Sequence, residues 1–171
     1  MKNLIYFIEF LIICLLFLIF RIIGYKASSK LGNLIGKIIG PKFRSKKVIE
    51  ENIKLFNPSI KNDELNGIMK KMWGNYGRIL AEYAFIPSFR KRKLENYLKI
   101  EGLENLEILK KKGEPVVFVS GHFNNFELMA MQIEKNGINL AAIYRPLNNV
   151  FLNKTMEQIR TKYICKNQIR K

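Results

Sequence analysis

The sequence predicts an α/β protein in which an N-terminal membrane helix and a helical region precede the first part of a domain with a mixed or parallel sheet. Three observations predict this class. The chain opens with a long apolar run, residues 62–86 carry apolar side chains at helical spacing, and short strand-like runs alternate with helix-like runs near the end. We therefore divide the 171 residues into a membrane anchor (1–25), a basic helical region (26–100) and a partial α/β core (101–171).

The opening segment, Leu4 to Ile23, is apolar except for Glu9 and Arg21. About 20 residues at roughly 1.5 Å each match a hydrocarbon core of about 30 Å, so the segment predicts a retained membrane helix. A cleaved signal peptide is the alternative, but it would have a shorter apolar core and a more basic start than Lys2. Glu9 is discordant, because a carboxylate inside the bilayer costs about 2.5 kcal/mol or more. It is expected near the outer interface, or the helix lies flat.

The charge balance indicates an anionic partner. The chain has 30 Lys and Arg against 14 Asp and Glu, a formal net charge of +16. Because basic residues follow the apolar segment, they predict that the rest of the chain faces the cytoplasm and contacts anionic lipids. Nucleic acid is disfavoured as a partner, since no aromatic RNA-binding signature or zinc-finger spacing is present. The two cysteines, Cys14 and Cys165, have no metal or redox spacing, and no metal or cofactor is expected.

The later elements follow from spacing and from turn residues. The helix of residues 62–86 is expected to end at Pro87. The basic run Arg90 to Lys93 predicts a solvated turn, or a contact with the membrane or an acidic protein. The pattern then predicts a helix at 103–112 closed by Gly113, a buried strand at 116–119, a helix at 126–134, a strand at 139–144 and a helix at 148–163. Strands that alternate with helices favour parallel neighbours, whose carboxyl ends gather ligands.

His122, the single histidine, lies between the predicted strand and the next helix, in the stretch VSGHFNNFELMA. Residues five apart on one helix point to different faces, so His122 is expected in the turn and Glu127 in the first helical turn. There the carboxylate could orient the imidazole, and the second ring nitrogen could accept a proton from a hydroxyl group. The alternative is structural: Asn124 caps the helix and Glu127 completes a capping box.

The stretch VSGHFNNFE, followed by a strand and then YRPLNN at Tyr144 to Asn149, resembles the lipid A biosynthesis acyltransferases. The order and separation of the two blocks and the N-terminal membrane segment also resemble that family, over nearly the whole chain. In the family the His-x4-Asp/Glu motif is catalytic, and it matches His122 and Glu127 here. The Tyr-Arg-Pro block handles substrate, which implies binding roles for Tyr144 and Arg145.

The resemblance implies transfer of a fatty acyl group from an acyl carrier protein thioester to a hydroxyl of a lipid A precursor, at the bacterial inner membrane. His122 would be the general base, Glu127 would orient it, and Arg145 would contact a phosphate or the oxyanion. Asn125, between the two, is a further candidate for substrate binding. Family members continue beyond this length, so the alternatives are a non-catalytic remnant of the family or a basic membrane-tethered binding module.

Overall fold

The computed structural model describes residues 2–171, and helices dominate it. The helices are α1 (Lys2–Ile23), α2 (Tyr25–Ile39), α3 (Lys46–Phe56), α4 (Asn62–Tyr83), α5 (Ile86–Arg90), α6 (Leu103–Lys112), α7 (Phe126–Lys135) and α8 (Val150–Ile159). The strands are β1 (Ala141–Tyr144) and β2 (Asn167–Arg170). A helix of 22 residues, α1, is long and apolar enough to cross a membrane, as the sequence predicts.

Contacts group the described chain into two units. We refer to residues 16–84 as the helical unit, and to residues 2–15 with 85–171 as the mixed unit. The helical unit holds the end of α1 together with α2, α3 and α4. The mixed unit holds the start of α1, the helices from α5 onward and both strands. The candidate site residues all lie in the mixed unit.

The helical unit depends on a close approach of α2 to α4 through glycines. Gly32 and Gly36 of α2 are buried against the α4 backbone around Gly77. A Cβ atom built on Gly77 would lie 2.0 Å from the carbonyl oxygen of Gly32 and 2.7 Å from the Cα of Gly36. Because only a hydrogen fits there, the two helix backbones pack directly against each other.

Side-chain hydrogen bonds fix the junction between α1 and α2. Gly24 separates the two helices at φ 81°, a conformation that glycine adopts without steric cost. The buried hydroxyl of Ser28 donates to the carbonyl oxygens of Phe20 and Gly24 at 2.6 and 2.7 Å. Arg21 Nε donates to the carbonyl oxygen of Ala84 at 3.2 Å. The start of α2 is therefore attached to the end of α1, and the end of α1 is attached to the residue that follows α4.

The predicted apolar face of α4 is confirmed in its main part. It packs on α3 in a core formed by Ile49, Ile60, Leu65 and Met69, with Ile53, Met72 and Trp73 partly buried beside it. Ile68 and Tyr76, which the spacing assigns to the same face, are 39% and 51% exposed. The apolar stripe in the sequence is thus wider than the surface that α3 covers.

The predicted stop at Pro87 is wrong in position. Helix α4 ends at Tyr83, and Pro87 lies in the first turn of α5. Proline suits a first helical turn because its missing N–H has no helical acceptor there. The basic run after it is in part paired, since Arg90 forms an ion pair with Glu134 of α7 and Arg92 lies 3.3 Å from Glu95.

The sheet of the described chain has two strands. β1 pairs with β2 in parallel, from Ala141 opposite Asn167 to Tyr144 opposite Arg170. This confirms the predicted strand over residues 141–144 and the parallel pairing, but the neighbouring strand is β2 and not the predicted segment 116–119. The sequence did not indicate β2, because its residues are mostly polar and charged. Helices α6, with Gly113 as its left-handed C-cap, and α7 lie where they were predicted.

The predicted buried strand at 116–119 is wrong. This segment is neither strand nor helix, and Val117 and Val119 are 87% and 92% exposed. A strand needs a neighbouring strand to complete its backbone hydrogen bonds. In the described chain no strand pairs with residues 116–119, and the segment instead lines a cavity of about 1150 Å³. The other walls come from α6, α7, β1 and β2, with Met129, Ile133 and Ile143 among the apolar residues.

We predict that Gly77→Ala destabilises the helical unit by about 1–3 kcal/mol, because the new methyl group meets the backbone of α2. Thermal unfolding followed by circular dichroism in detergent measures the change. Gly67→Ala in the same helix is the matched control, since no atom lies within 4 Å of its added Cβ. The control should gain roughly 0.5–1 kcal/mol from helix propensity. Equal effects of both substitutions would contradict the close-packing account.

Candidate functional site

The turn before α7 places His122 outside the helix and Glu127 inside its first turn. Asn124 adopts a left-handed conformation at φ 47°, which asparagine tolerates better than most residues. Asn125 follows as the N-cap residue and is buried. The chain therefore reverses at Asn124 and enters α7 at Phe126.

The capping-box alternative does not describe this turn. The N-cap is Asn125 rather than Asn124, and its side chain makes no capping hydrogen bond. The carboxylate of Glu127 is directed toward α8, where it meets Arg160. The left-handed backbone at Asn124 explains the shift, because a residue in that conformation cannot hold the extended geometry of an N-cap.

Glu127 and His122 have different surroundings. Glu127 is 5% exposed, and its Oε1 accepts hydrogen bonds from Arg160 Nε at 2.8 Å and Nη2 at 2.6 Å. His122 is exposed, and its ring lies edge-on to Phe126 with ring centroids 4.3 Å apart. The structure thus gives the glutamate an arginine partner, and an imidazole–carboxylate dyad stays a prediction.

Arg160 is the residue that sequence reasoning missed. It begins the short π-helical turn that follows α8, 33 positions after Glu127. A buried carboxylate requires a cation or several donors, and a guanidinium supplies parallel donors in a fixed geometry. The sequence carried no signal for this pair, because it indicates neither that Glu127 is buried nor which of the 30 basic residues supplies the charge.

Arg160 also contacts Tyr144, which joins the two sequence blocks. Its guanidinium carbon lies 5.7 Å from the centroid of the Tyr144 ring, within cation–π range. The Tyr144 hydroxyl donates to Glu157, which also accepts from Asn153 Nδ2 at 2.9 Å. We refer to Glu127, Arg160, Tyr144 and Glu157 as the polar cluster.

Two pKa shifts follow from the bond between Tyr144 and Glu157. The hydrogen bond to the carboxylate raises the pKa of Tyr144 above its ordinary value, with desolvation adding to the effect. The same bond, with the one from Asn153, lowers the pKa of Glu157. The pair is therefore held as a neutral phenol and an ionised carboxylate.

The other predicted binding residues are divided between surface and interior. Arg145 follows β1 directly and is exposed, so its guanidinium can contact a ligand in solvent. Asn125 is 8% exposed within the turn before α7. A contact between Asn125 and substrate is thus less accessible than one from Arg145.

Asn149, the last residue of the second block, links α8 to the start of α1. Its side-chain oxygen accepts from the backbone N–H groups of Phe151 and Leu152 at 3.1 and 3.2 Å, which caps α8. Its Nδ2 donates to the Tyr6 carbonyl and to Glu9 Oε2 at 2.8 and 2.9 Å. The discordant carboxylate of the apolar segment is exposed and has a hydrogen-bond partner in the protein.

Comparison with known proteins gives a family. A family model described as bacterial lipid A biosynthesis acyltransferase matches residues 1–166. A search of curated proteins and of solved structures found no match. The matched range covers the histidine turn, the Tyr-Arg-Pro block and Arg160.

We predict that Arg160→Ala destabilises the protein by about 3–5 kcal/mol, because it leaves the Glu127 carboxylate buried without its cation. The double variant Arg160→Met with Glu127→Leu should recover most of that loss, since no unpaired charge remains. Chemical unfolding in detergent measures both.

The control for this prediction is the exposed pair of Lys99 and Glu101, whose side chains are 86% and 75% exposed. Lys99→Ala should change stability by less than about 1 kcal/mol, because solvent screens such pairs. If Arg160→Ala lowered the free energy of unfolding no more than Lys99→Ala does, the loss of Arg160 would not leave a costly unpaired carboxylate.

A pH dependence follows from Glu157. Its pKa is lowered in the folded state, so its contribution to stability is present above the ordinary value of 4.5 and is lost as the pH falls through the folded value. The melting temperature of the unmodified protein should therefore fall as the pH is lowered from neutral to acidic. We expect the melting temperature of Glu157→Gln to fall less over the same pH range. Glu104→Gln on α6 is the control and should follow the unmodified protein. Parallel curves for all three proteins would refute the assignment to Glu157.

Proposed function

We propose that this chain, which belongs to the bacterial lipid A biosynthesis acyltransferase family, transfers a fatty acyl group to a hydroxyl of a lipid A precursor. The acyl donor in this proposal is an acyl carrier protein thioester, and the reaction takes place at the cytoplasmic face of the inner membrane. One observation carries the proposal: Arg160 contacts both Glu127 and Tyr144. These two residues come from the histidine block and the Tyr-Arg-Pro block, and both blocks lie within the family match.

In the proposed reaction, a neutral His122 accepts the proton of the acceptor hydroxyl as its oxygen attacks the thioester carbonyl. The carbon–sulfur bond then breaks, the ester forms, and the thiol of the carrier protein leaves with the proton from His122. Arg145, exposed beside the end of β1, is available to stabilise the oxyanion or to bind a phosphate of the acceptor.

Glu127 positions His122 in this scheme. A carboxylate has about four lone-pair sites, so the two hydrogen bonds from Arg160 to Oε1 are compatible with a further bond from the imidazole. The exposed ring of His122 must turn from Phe126 toward the carboxylate for that bond to form. The two hydrogen bonds from Arg160 hold the Glu127 carboxylate in place within α7, which favours the orienting role.

The cavity beside α7 supports a fatty acyl substrate. Its volume of about 1150 Å³ is slightly above the roughly 300–1,000 Å³ of typical small-molecule sites, and its walls include Val116, Phe118, Met129 and Ile133. Ser120, two residues before His122, also lines it. An apolar chain in this cavity would therefore end close to the histidine turn.

Membrane anchoring supports a lipid acceptor. α1 has the length and apolar character of a membrane span, and the basic residues that follow it favour an anionic leaflet. We propose anionic membrane lipids as partners that hold the site near its acceptor.

A non-catalytic member of the same family is the second candidate. It is favoured by the exposure of His122 and by the segment at 116–119, which lies outside the sheet. Such a protein would bind an acyl chain or a lipid without turnover. The activity assay separates the two candidates.

We expect His122→Ala to reduce acyl transfer by about 10²–10⁴-fold, the usual contribution of a general base, while membrane binding is unchanged. Glu127→Gln should lose less than His122→Ala, because the base is then misoriented but present. The assay supplies acyl carrier protein loaded with a radiolabelled fatty acyl group and a lipid A precursor to the full chain in detergent.

Glu104→Gln on α6 is the matched control and should keep full activity, and circular dichroism verifies that each variant is folded. Transfer that persists in His122→Ala would refute the general-base role. No transfer by the unmodified chain, with binding of the labelled lipid retained, would support the non-catalytic candidate instead.

A further inference from the structure

Helix α2 has an unusual orientation within the helical unit. With 3.6 residues per turn, Leu31, Leu34 and Ile38 fall within about 60° of one another, and the glycines at 32, 36 and 40 lie on the opposite side. The glycine side is the buried one, against α4. An amphipathic helix in a soluble protein normally buries its apolar side instead. Leu34 and Ile38 are therefore directed away from the protein.

Exposure confirms this arrangement. Leu34 and Ile38 are 54% and 63% exposed, whereas Gly32, Gly36 and Ser28 are buried. Leaving such side chains in water forfeits about 1.5–3 kcal/mol each relative to full burial. We refer to Leu34 and Ile38, with the half-buried Leu31 beside them, as the apolar face of α2.

Charge and chain continuity indicate what covers this face. Three lysines, Lys26, Lys30 and Lys37, lie within about 40° of one another around the helix axis. They lie about 40–80° to one side of Leu34, an arrangement typical of helices in a lipid interface. α2 begins one residue after α1 ends, and Ser28 ties the two helices together. Leu18 and Ile22 at the end of α1 are also exposed, so apolar surface is present on both helices at this junction.

We infer that α2 is an interfacial helix, with its apolar face in the boundary between headgroups and acyl chains and its lysines against anionic headgroups. The glycine side then holds α4, and with it the helical unit, at the membrane surface. This inference rests on the proposed anchoring by α1 and adds a second, lateral membrane contact to it. It is independent of acyl transfer.

The test measures the depth of position 38 in the bilayer. The full chain carrying Cys14→Ala and Ile38→Cys is labelled with an environment-sensitive fluorophore; Cys165 is left in place because it is buried. The matched control is Glu64→Cys in the same background, at an exposed position of α4. Both proteins are reconstituted in vesicles of phosphatidylcholine with phosphatidylglycerol, and flotation measures membrane binding separately.

We expect the label at position 38 to shift to the blue and to be quenched by lipids that carry a nitroxide near the headgroup. The label at position 64 should show neither effect and should be quenched by iodide. In vesicles of phosphatidylcholine alone, quenching at position 38 should weaken, because the lysines lose their anionic partner. Circular dichroism of both labelled proteins checks that they are folded.

Three results would overturn the inference. If position 38 behaves like position 64 while the protein floats with the vesicles, the anchor holds and the interfacial helix is refuted. If position 38 shifts to the blue without quenching by nitroxide lipids, a second copy of the chain covers the face instead. If the protein does not float at all, the anchoring by α1 fails together with the inference.

Discussion

The buried ion pair between Glu127 and Arg160 is the interaction on which the mixed unit depends. Glu127 lies in the first turn of α7 and Arg160 directly follows α8, so the pair joins the ends of two helices that the chain connects through β1. A buried pair contributes little net stability when intact, but removal of one partner is costly. The pair therefore defines the arrangement of the helices more than it adds stability. It determines which end of α8 meets the histidine turn, and it brings Tyr144 into the polar cluster.

The packing of the helical unit is determined differently, by glycines that have no side chain at the contact between α2 and α4. Contact through Gly32, Gly36 and Gly77 leaves no room for a methyl group, so the register of α2 on α4 has few alternatives. The same contact determines which side of α2 is exposed. Because the glycines use the protein-facing side, the leucine and isoleucine side must find another environment, and the lysines beside it suit an anionic surface.

Polar groups in apolar surroundings are satisfied by unrelated parts of the chain. Glu9 of the opening segment receives a hydrogen bond from Asn149, which also caps α8. Glu82 is buried in the helical unit and accepts from Tyr25 and Ser29 at 3.4 and 3.2 Å. The buried Glu82 needs these donors to remain in place, because an unpaired buried carboxylate is costly. In both cases the hydrogen bonds link separate helices.

The sequence by itself determined the elements with strong periodicity or punctuation, namely α1, most of α4, α6 with Gly113, α7 and β1, because local apolar spacing and backbone preference act within a few residues. It also determined that His122 precedes a helix whose first turn holds Glu127. Only tertiary structure decided that Glu127 meets Arg160, that residues 116–119 stay outside the sheet, and that β2 pairs with β1. Those outcomes depend on partners distant in the chain, which no local pattern encodes.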